Sequence, residues 1–330
     1  MNEVIYIFKS GRIARKDNTL FFESDAEKRY IPVENTKIIH VFGEITINKD
    51  ALEFLSQKEI ILHFYNYYEY YIGSFYPREH YNSGYMIVNQ VKNYLDSNLR
   101  LKLAKKFVLG SISNMERVLS YYSRRGFSLS DIVNSLRNIK DSMDEVSDVK
   151  ELLALEGKSR EIYYNGFSEI LKDTQFIMRE RSRRPPKDRI NALISFGNSL
   201  LYPEILSQIY KTHLDPRIGY LHESNFRSFS LNLDVSEIFK PIIVDRTIFT
   251  LINKNMVDES SFEKRINGIY LNERGARDFV KVFDERLNAT INHKGLGRNV
   301  SYRTLIRLEL YKIEKHIMGE KEYSPFVSEW

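Results

Sequence analysis

The sequence predicts an α+β protein, with a small β-sheet-rich N-terminal domain over residues 1–80 and a larger all-α-helical domain over residues 81–330. Two patterns predict it. The first 80 residues carry short runs of β-branched and aromatic residues separated by polar, turn-like stretches, which is how strands read in sequence. From Tyr85 onward, apolar residues recur at helical spacing through segments much longer than a strand.

VIYIF at 4–8, TLFFE at 19–23, KRYIPV at 28–33, KIIHVFG at 37–43, EIILHFY at 59–65 and YYIGSFY at 70–76 are the expected strands. Residues 49–58, with Leu52, Phe54 and Leu55, are expected to form one helix between strands. Eight tyrosines crowd residues 65–85, which suits either base stacking or a strand with one packed and one exposed aromatic face. Across 77–83 the character changes. MIVNQVKNYL, LRLKLAKKFVLGSISNMERVLSYYSRR and SDIVNSLRNI then follow as helices. Ser83 suits the first N-cap, and Ser128 or Ser130 the third, because a hydroxyl there accepts from an unpaired first-turn N–H. VKELLALEGKSREIYYNGFSEIL, DRINALISFGNSLLYPEILSQIY and YRTLIRLELYKIEKHI continue the pattern to the C-terminus.

Composition excludes several chemistries. The absence of cysteine removes disulfides, thiolate metal sites and thiol nucleophiles, and suits a reducing cytoplasm. The N-terminus has only a short apolar stretch, with Glu3 inside it and no cleavage pattern. No apolar run approaches the ~20 residues of a membrane span, so a soluble, cytoplasmic protein without a membrane partner is expected. The net charge of +5 is unevenly placed: residues 1–80 hold 10 basic and 12 acidic residues, the remainder 39 and 32. A polyanion is therefore expected on the C-terminal domain.

The residues that suggest chemistry lie in that domain. Glu156, Arg160 and Tyr163 fall at i, i+4 and i+7, on one helical face. They offer a carboxylate to bind metal, a guanidinium to orient it or contact phosphate, and a supporting phenol. The plainer alternative is a solvated ion pair beside a core tyrosine. His222, in GYLHE, reads as a loop or helix-end residue, where functional groups concentrate; His213 reads as structural, inside the preceding helix. Asp234 and Glu237 share a face at i, i+3, either as ligands or as acids favoured by a helix N-terminus. Carboxylates with one imidazole suit Mg²⁺ or Mn²⁺. MRERSRRPPKDR carries Arg179, Arg181, Arg183, Arg184, Lys187 and Arg189 around two helix-breaking prolines, a candidate phosphate clamp. Lys294, Arg298, Arg303 and Arg307 add basic residues further on.

At these motifs the chain resembles the universal CRISPR-associated integrase, the first of the CRISPR-associated proteins, in its subtype I-B branch. ALEGKSREIYY, INALISFGNSLLY (190–202), LDPRIGYLHE (214–223) and LDVSEIFKPIIVDR (233–246) carry the resemblance by their order and spacing. DNTLFFE, IPVENTKIIHVFGE and FYNYYEYYIGSFYP extend it through the N-terminal domain. The chain departs from common members at Ser159, where alanine is frequent, and at Asn198, where many have tyrosine. The resemblance implies a dimerising N-terminal domain and a catalytic, DNA-binding helical domain. It implies a metal site of Glu156, His222 and Glu237 with Asp234 as an adjacent catalytic acid, and DNA contacts from Arg160, Tyr163, Arg181, Arg183, Arg184, Lys187 and Arg189. Its implied partners are double-stranded and branched DNA, a second copy of the chain and a small second CRISPR adaptation subunit. The implied reaction is metal-dependent joining of a DNA 3′-hydroxyl to a phosphodiester at a repeat boundary, with nuclease activity on branched DNA. A catalytically inactive DNA-binding scaffold and a transposon-encoded relative remain open as alternatives.

Overall fold

The computed structural model describes residues 4–25, 27–77, 81, 83–171, 175–178, 180–224 and 229–329. The chain divides into two units, Met1–Asn82 and Ser83–Trp330.

The first unit is built from eight strands and one helix: β1 (Val4–Ile7), β2 (Gly11–Lys16), β3 (Thr19–Glu23), β4 (Lys28–Ile31), β5 (Ile38–Val41), β6 (Ile45–Ile47), α1 (Lys49–Gln57), β7 (Ile61–Tyr65) and β8 (Tyr71–Phe75). They form two four-stranded sheets, β4-β3-β2-β6 and β1-β5-β7-β8. Strands β1, β5 and β7 run parallel, which needs crossovers, and α1 supplies one of them. Alternate residues of both sheets meet in one core, where Ile13, Leu20, Ile39 and Leu62 pack with Phe54 and Leu55 of α1. Two strands were not expected. β2 is GRIARK, in which three basic residues mask the buried pair Ile13 and Ala14, and β6 has only three residues. In the tyrosine run Tyr65 is buried with its hydroxyl 2.7 Å from His40 Nδ1, whereas Tyr67 is 72% exposed. The packed-and-exposed reading therefore describes these two.

The second unit holds α2 (Gly84–Leu95), α3 (Ser97–Ser123), α4 (Ser130–Asp141), α5 (Val149–Leu171), α6 (Arg189–Ile209), α7 (Ser230–Lys240), α8 (Arg246–Asn253), β9 (Phe262–Arg265), β10 (Gly268–Leu271), α9 (Glu273–Asn288), β11 (Thr290–His293), β12 (Arg298–Ser301) and α10 (Tyr302–Ile317). Helix α6 is apolar nearly all round because it runs through the middle, with most of its residues buried. Ser83 caps α2, its Oγ accepting from Met86 N at 3.2 Å. Neither Ser128 nor Ser130 caps α4: Leu129 holds that position without a side-chain bond, and Ser130 is already helical. His213 lies beyond the end of α6, where its N–H donates to Glu314 Oε1 at 2.6 Å.

The unit is helical but not all-α. Two hairpins interrupt it, β9–β10 across Ile266 and Asn267 and β11–β12 across residues 294–297. Four-residue strands carry too few positions for their period of two to stand out beside long helices. In the second, Gly297 takes the left-handed φ of +62° that closes the turn. Among the described residues no helix is long and apolar enough to cross a membrane.

Phe279 of α9 is fully buried, its ring 5.2 Å from that of Phe196 on α6. Phe279→Ala is expected to cost about 3–5 kcal/mol, measured by chemical denaturation of the full chain. A loss below about 1 kcal/mol would contradict this packing.

Candidate active site

Three elements of the second unit bring the chemical side chains together: the middle of α5, the loop ahead of α7, and α7 with the π-helical turn Pro241–Asp245 that follows it. On α5, Glu156, Arg160 and Tyr163 do share one face, with Arg160 Nε 3.8 Å from Glu156 Oε1. On α7, Asp234 and Glu237 both lie past the first turn, so the helix dipole is not what places them. The loop can close onto α7 because residue 219 is glycine. A Cβ there would lie 2.6 Å from the Ser230 carbonyl carbon, and the Gly219 N–H donates to Ser230 Oγ at 2.9 Å.

Asp234 organises that loop. It is fully buried, and its two oxygens accept from the backbone N–H groups of Tyr220 (2.6 Å), Leu221 (3.0 Å) and His222 (2.9 Å). His222 Nδ1 lies 2.8 Å from the same carboxylate. An ionised carboxylate only accepts, so Nδ1 carries the proton and Nε2 of the neutral ring is left with a lone pair. Burial pulls the His222 pKa down, but the hydrogen bond and charge of Asp234 outweigh it and hold it above the ordinary histidine value.

Glu237 is the charged centre. Oε2 accepts from Arg160 Nη2 at 2.7 Å and Oε1 from Lys240 Nζ. Burial works against its ionisation, yet Lys240 and Arg160 prevail and hold it well below the usual carboxylate range. Glu156 moves the opposite way. Burial raises it first and the charge of Glu237 raises it further, against a weaker pull from Arg160. Asp245, in the π-helical turn, presents Oδ2 3.8 Å from Arg160 Nη1, and burial lifts it to about 6. Among the described residues no group of three or more acids and histidines is already gathered as a ligand set, and Glu237 is bonded to Arg160 and Lys240. The donor chemistry nonetheless fits a hard divalent cation: a cation-poor Glu156, an ionised Glu237 and a neutral imidazole Nε2.

Several expected DNA contacts point inward. Tyr163 is fully buried and Arg160 only 8% exposed, so both stand behind the acids rather than on a DNA-facing surface. Pro185 and Pro186 do lie outside helix, but the basic run between α5 and α6 is only partly a clamp. Arg181 is half-buried, donating to Asn191 Oδ1 at 2.7 Å and Ser195 Oγ at 3.3 Å. Arg189 is held by Gln175 O and Glu259. Arg183, Arg184 and Lys187 are exposed, Lys187 with Glu180 at 3.3 Å, and Arg179 lies outside the described residues. Arg303 is buried between Glu204 and Asp284, and Arg307 bonds Gln208. Arg298 is exposed, and the side chain of Lys294 is outside those described. Lys240 and Asp245 were not singled out as chemical from sequence. The place of the former rests on its i, i+3 spacing from Glu237, and that of the latter on the π-helical turn.

A strand-rich unit followed by a helical unit that gathers two glutamates, a histidine and an arginine beside a basic loop defines a nucleic-acid-processing enzyme. Residues 5–285 match the family model for CRISPR associated protein Cas1. The chain is 58% identical over 330 residues, all of both chains, to a CRISPR-associated endonuclease Cas1 of Thermodesulfovibrio yellowstonii. It superposes on the structure of a Cas1 protein from Thermotoga maritima with a TM-score of 0.89 at 46% identity, covering 99% of this chain and 100% of that one. A casposase bound to integration product shares the fold at 22% identity, with a TM-score of 0.88 over 99% and 94% of the two chains. This chain belongs to the Cas1 family.

In metal-free protein, His222 is expected to titrate above the ordinary histidine value, and Asp234→Asn to bring it down. The sign follows: the stabilisation from this pair is fully present below the unfolded pKa of about 6.5 and is lost as pH rises through the folded value. Histidine-resolved NMR titration of both proteins checks it; equal titration in the two would remove Asp234 as the cause.

Proposed function

We propose that this protein is a metal-dependent DNA integrase and endonuclease of CRISPR adaptation, inserting short DNA fragments at repeat boundaries. The observation that carries this reading is the placement of Glu156 and Glu237 on Arg160, with His222 close enough for its charge to act on both glutamates, on a chain 58% identical to a protein named as a Cas1 endonuclease. In the reaction a fragment's 3′-hydroxyl oxygen bonds to the repeat phosphorus and the bond to the leaving 3′-oxygen breaks. One phosphodiester is exchanged for another, so no external energy source is needed.

Glu156, His222 and Glu237 are the residues that would hold Mg²⁺ or Mn²⁺, Glu237 turning from Arg160 and Lys240. Such an ion supplies charge neutralisation at the phosphate and a lowered pKa for the attacking hydroxyl. Asp234 holds His222 in the tautomer that leaves Nε2 as the acceptor, and Arg160 and Lys240 keep Glu237 ionised at a buried site. Arg183, Arg184 and Lys187 are exposed cations of the basic loop that would meet the DNA backbone. Double-stranded and branched DNA, a second copy of the chain and a small second CRISPR adaptation subunit are the proposed partners. For the second copy, α2 adds an apolar stripe, with Ile87, Val91 and Leu95 exposed at i, i+4 and i+8.

Glu156→Ala, His222→Ala and Glu237→Ala should each lower strand transfer by more than the roughly 10–100-fold typical of groups one step from a metal, with DNA affinity little changed. The assay joins a labelled duplex with free 3′-hydroxyls to a supercoiled plasmid carrying a repeat, with either metal, with and without the partner subunit. Full activity in all three variants would refute the assignment. Wild-type protein that binds DNA yet never joins it would make the chain a scaffold instead. Replacing Arg183, Arg184 and Lys187 by alanine together should reduce the slope of log affinity against log salt by about 2–3. Arg181→Ala should leave that slope unchanged, and the reverse pattern would place the clamp on the inward-facing arginine.

A further inference from the structure

Asp245 is 1% exposed and faces the guanidinium that both glutamates use. Its Oδ2 and Arg160 Nη1 stand 3.8 Å apart, and neither has a hydrogen-bond partner. The buried hydroxyl of Tyr163 is a third, set close enough to the Asp245 carboxylate to act on its ionisation without completing a bond to it. Buried polar atoms left this way are costly, so their convergence on one spot beside the two glutamates calls for a reason.

A change of helix pitch puts Asp245 there. It lies eight residues after Glu237, and eight residues of α-helix would leave it about 80° off the Glu237 face. The π-helical turn Pro241–Asp245 absorbs one extra residue and brings Asp245 back to within about 20° of that face. Lys240, the last residue of α7, reaches Glu237 by ordinary i, i+3 spacing.

Arg160 is thereby surrounded by three carboxylates, Glu237 at 2.7 Å and Glu156 and Asp245 at 3.8 Å each. Each carboxylate faces a different nitrogen, Nη2, Nε and Nη1, so the one on the Nη1 edge restrains how far the guanidinium swings onto the other two. We propose that Asp245 is a positioning residue that holds the Nη1 side of Arg160, keeping Glu156 and Glu237 available to a divalent cation. Without Asp245, Arg160 moves fully onto the glutamates and competes with the ion. The inference rests on the metal-site reading above.

The test is direct Mn²⁺ binding to the full chain without DNA, read from the electron paramagnetic resonance signal of the free ion, with thermal melting as the check on folding. Asp245→Asn, nearly isosteric, should raise the Mn²⁺ dissociation constant about tenfold. In an Arg160→Gln background the same change should alter it less than about twofold, since the residue acts through the guanidinium; Arg160→Lys serves if that variant does not fold. An unchanged constant in Asp245→Asn, while Glu237→Gln loses the ion, overturns the inference alone. An equal loss in both backgrounds also overturns it, because Asp245 would then act by its own charge. If Glu237→Gln binds Mn²⁺ like wild type, the metal-site reading fails and takes this inference with it.

Discussion

The organisation of the helical unit depends on one buried cation. Arg160 sits among Glu156, Glu237 and Asp245 with almost no contact with water. Burying a guanidinium among carboxylates is favourable only while the set is complete. Removing one partner of a buried pair costs about 3–5 kcal/mol, because the remaining charge is left without compensation. The pairing thus fixes α5 against α7 and the π-helical turn. It also leaves the site with more carboxylates than cations: Arg160 and Lys240 balance two of three, and Glu156 is the one whose ionisation burial and Glu237 oppose. The arrangement that holds the helices together is also the one proposed to take a dication.

The two acids of α7 show how three residues of spacing separate two tasks. Asp234 is saturated by three backbone N–H groups and the His222 ring, and has nothing left to offer a ligand. Glu237 is held only by flexible cationic side chains, which can move aside. Backbone donors are fixed by the loop and cannot be exchanged without unfolding it. On this ground the proposed site uses Asp234 as the supporting acid and Glu237 as the exchangeable one, a distinction that a D-x-x-E motif does not carry.

Much of this was legible in the chain. Six of the eight described strands of the first unit, helix α1, and helices α2 to α6 and α10 of the second follow from hydrophobic period, and i, i+4, i+7 spacing places Glu156, Arg160 and Tyr163 on one face; α9 was not singled out. What the period missed has a physical cause in each case. The apolar face of β2 is two residues wide among basic ones, and β9–β12 are too short to show alternation. The arginine run was read by composition as one surface, but Asn191 and Ser195 turn Arg181 inward while Arg183 remains out. Partner identity decides such cases, and partners eight or more residues away are not visible in a local window.

Packing far from the carboxylates then governs the site. A Cβ on Gly197 would lie 2.5 Å from Val244 Cγ1 and 2.8 Å from the Phe279 ring, so only glycine lets the π-helical turn sit this close to α6. Val244 is the residue before Asp245. Had α6 carried a side chain at 197, the turn would be pushed outward, and Asp245 would leave the guanidinium it faces. The close approach at Gly219 acts likewise on His222, through the loop that Asp234 gathers. Two glycines, neither carrying any chemistry, therefore set the positions of a histidine and an aspartate that do. That is why the core and the site cannot be varied independently in this fold.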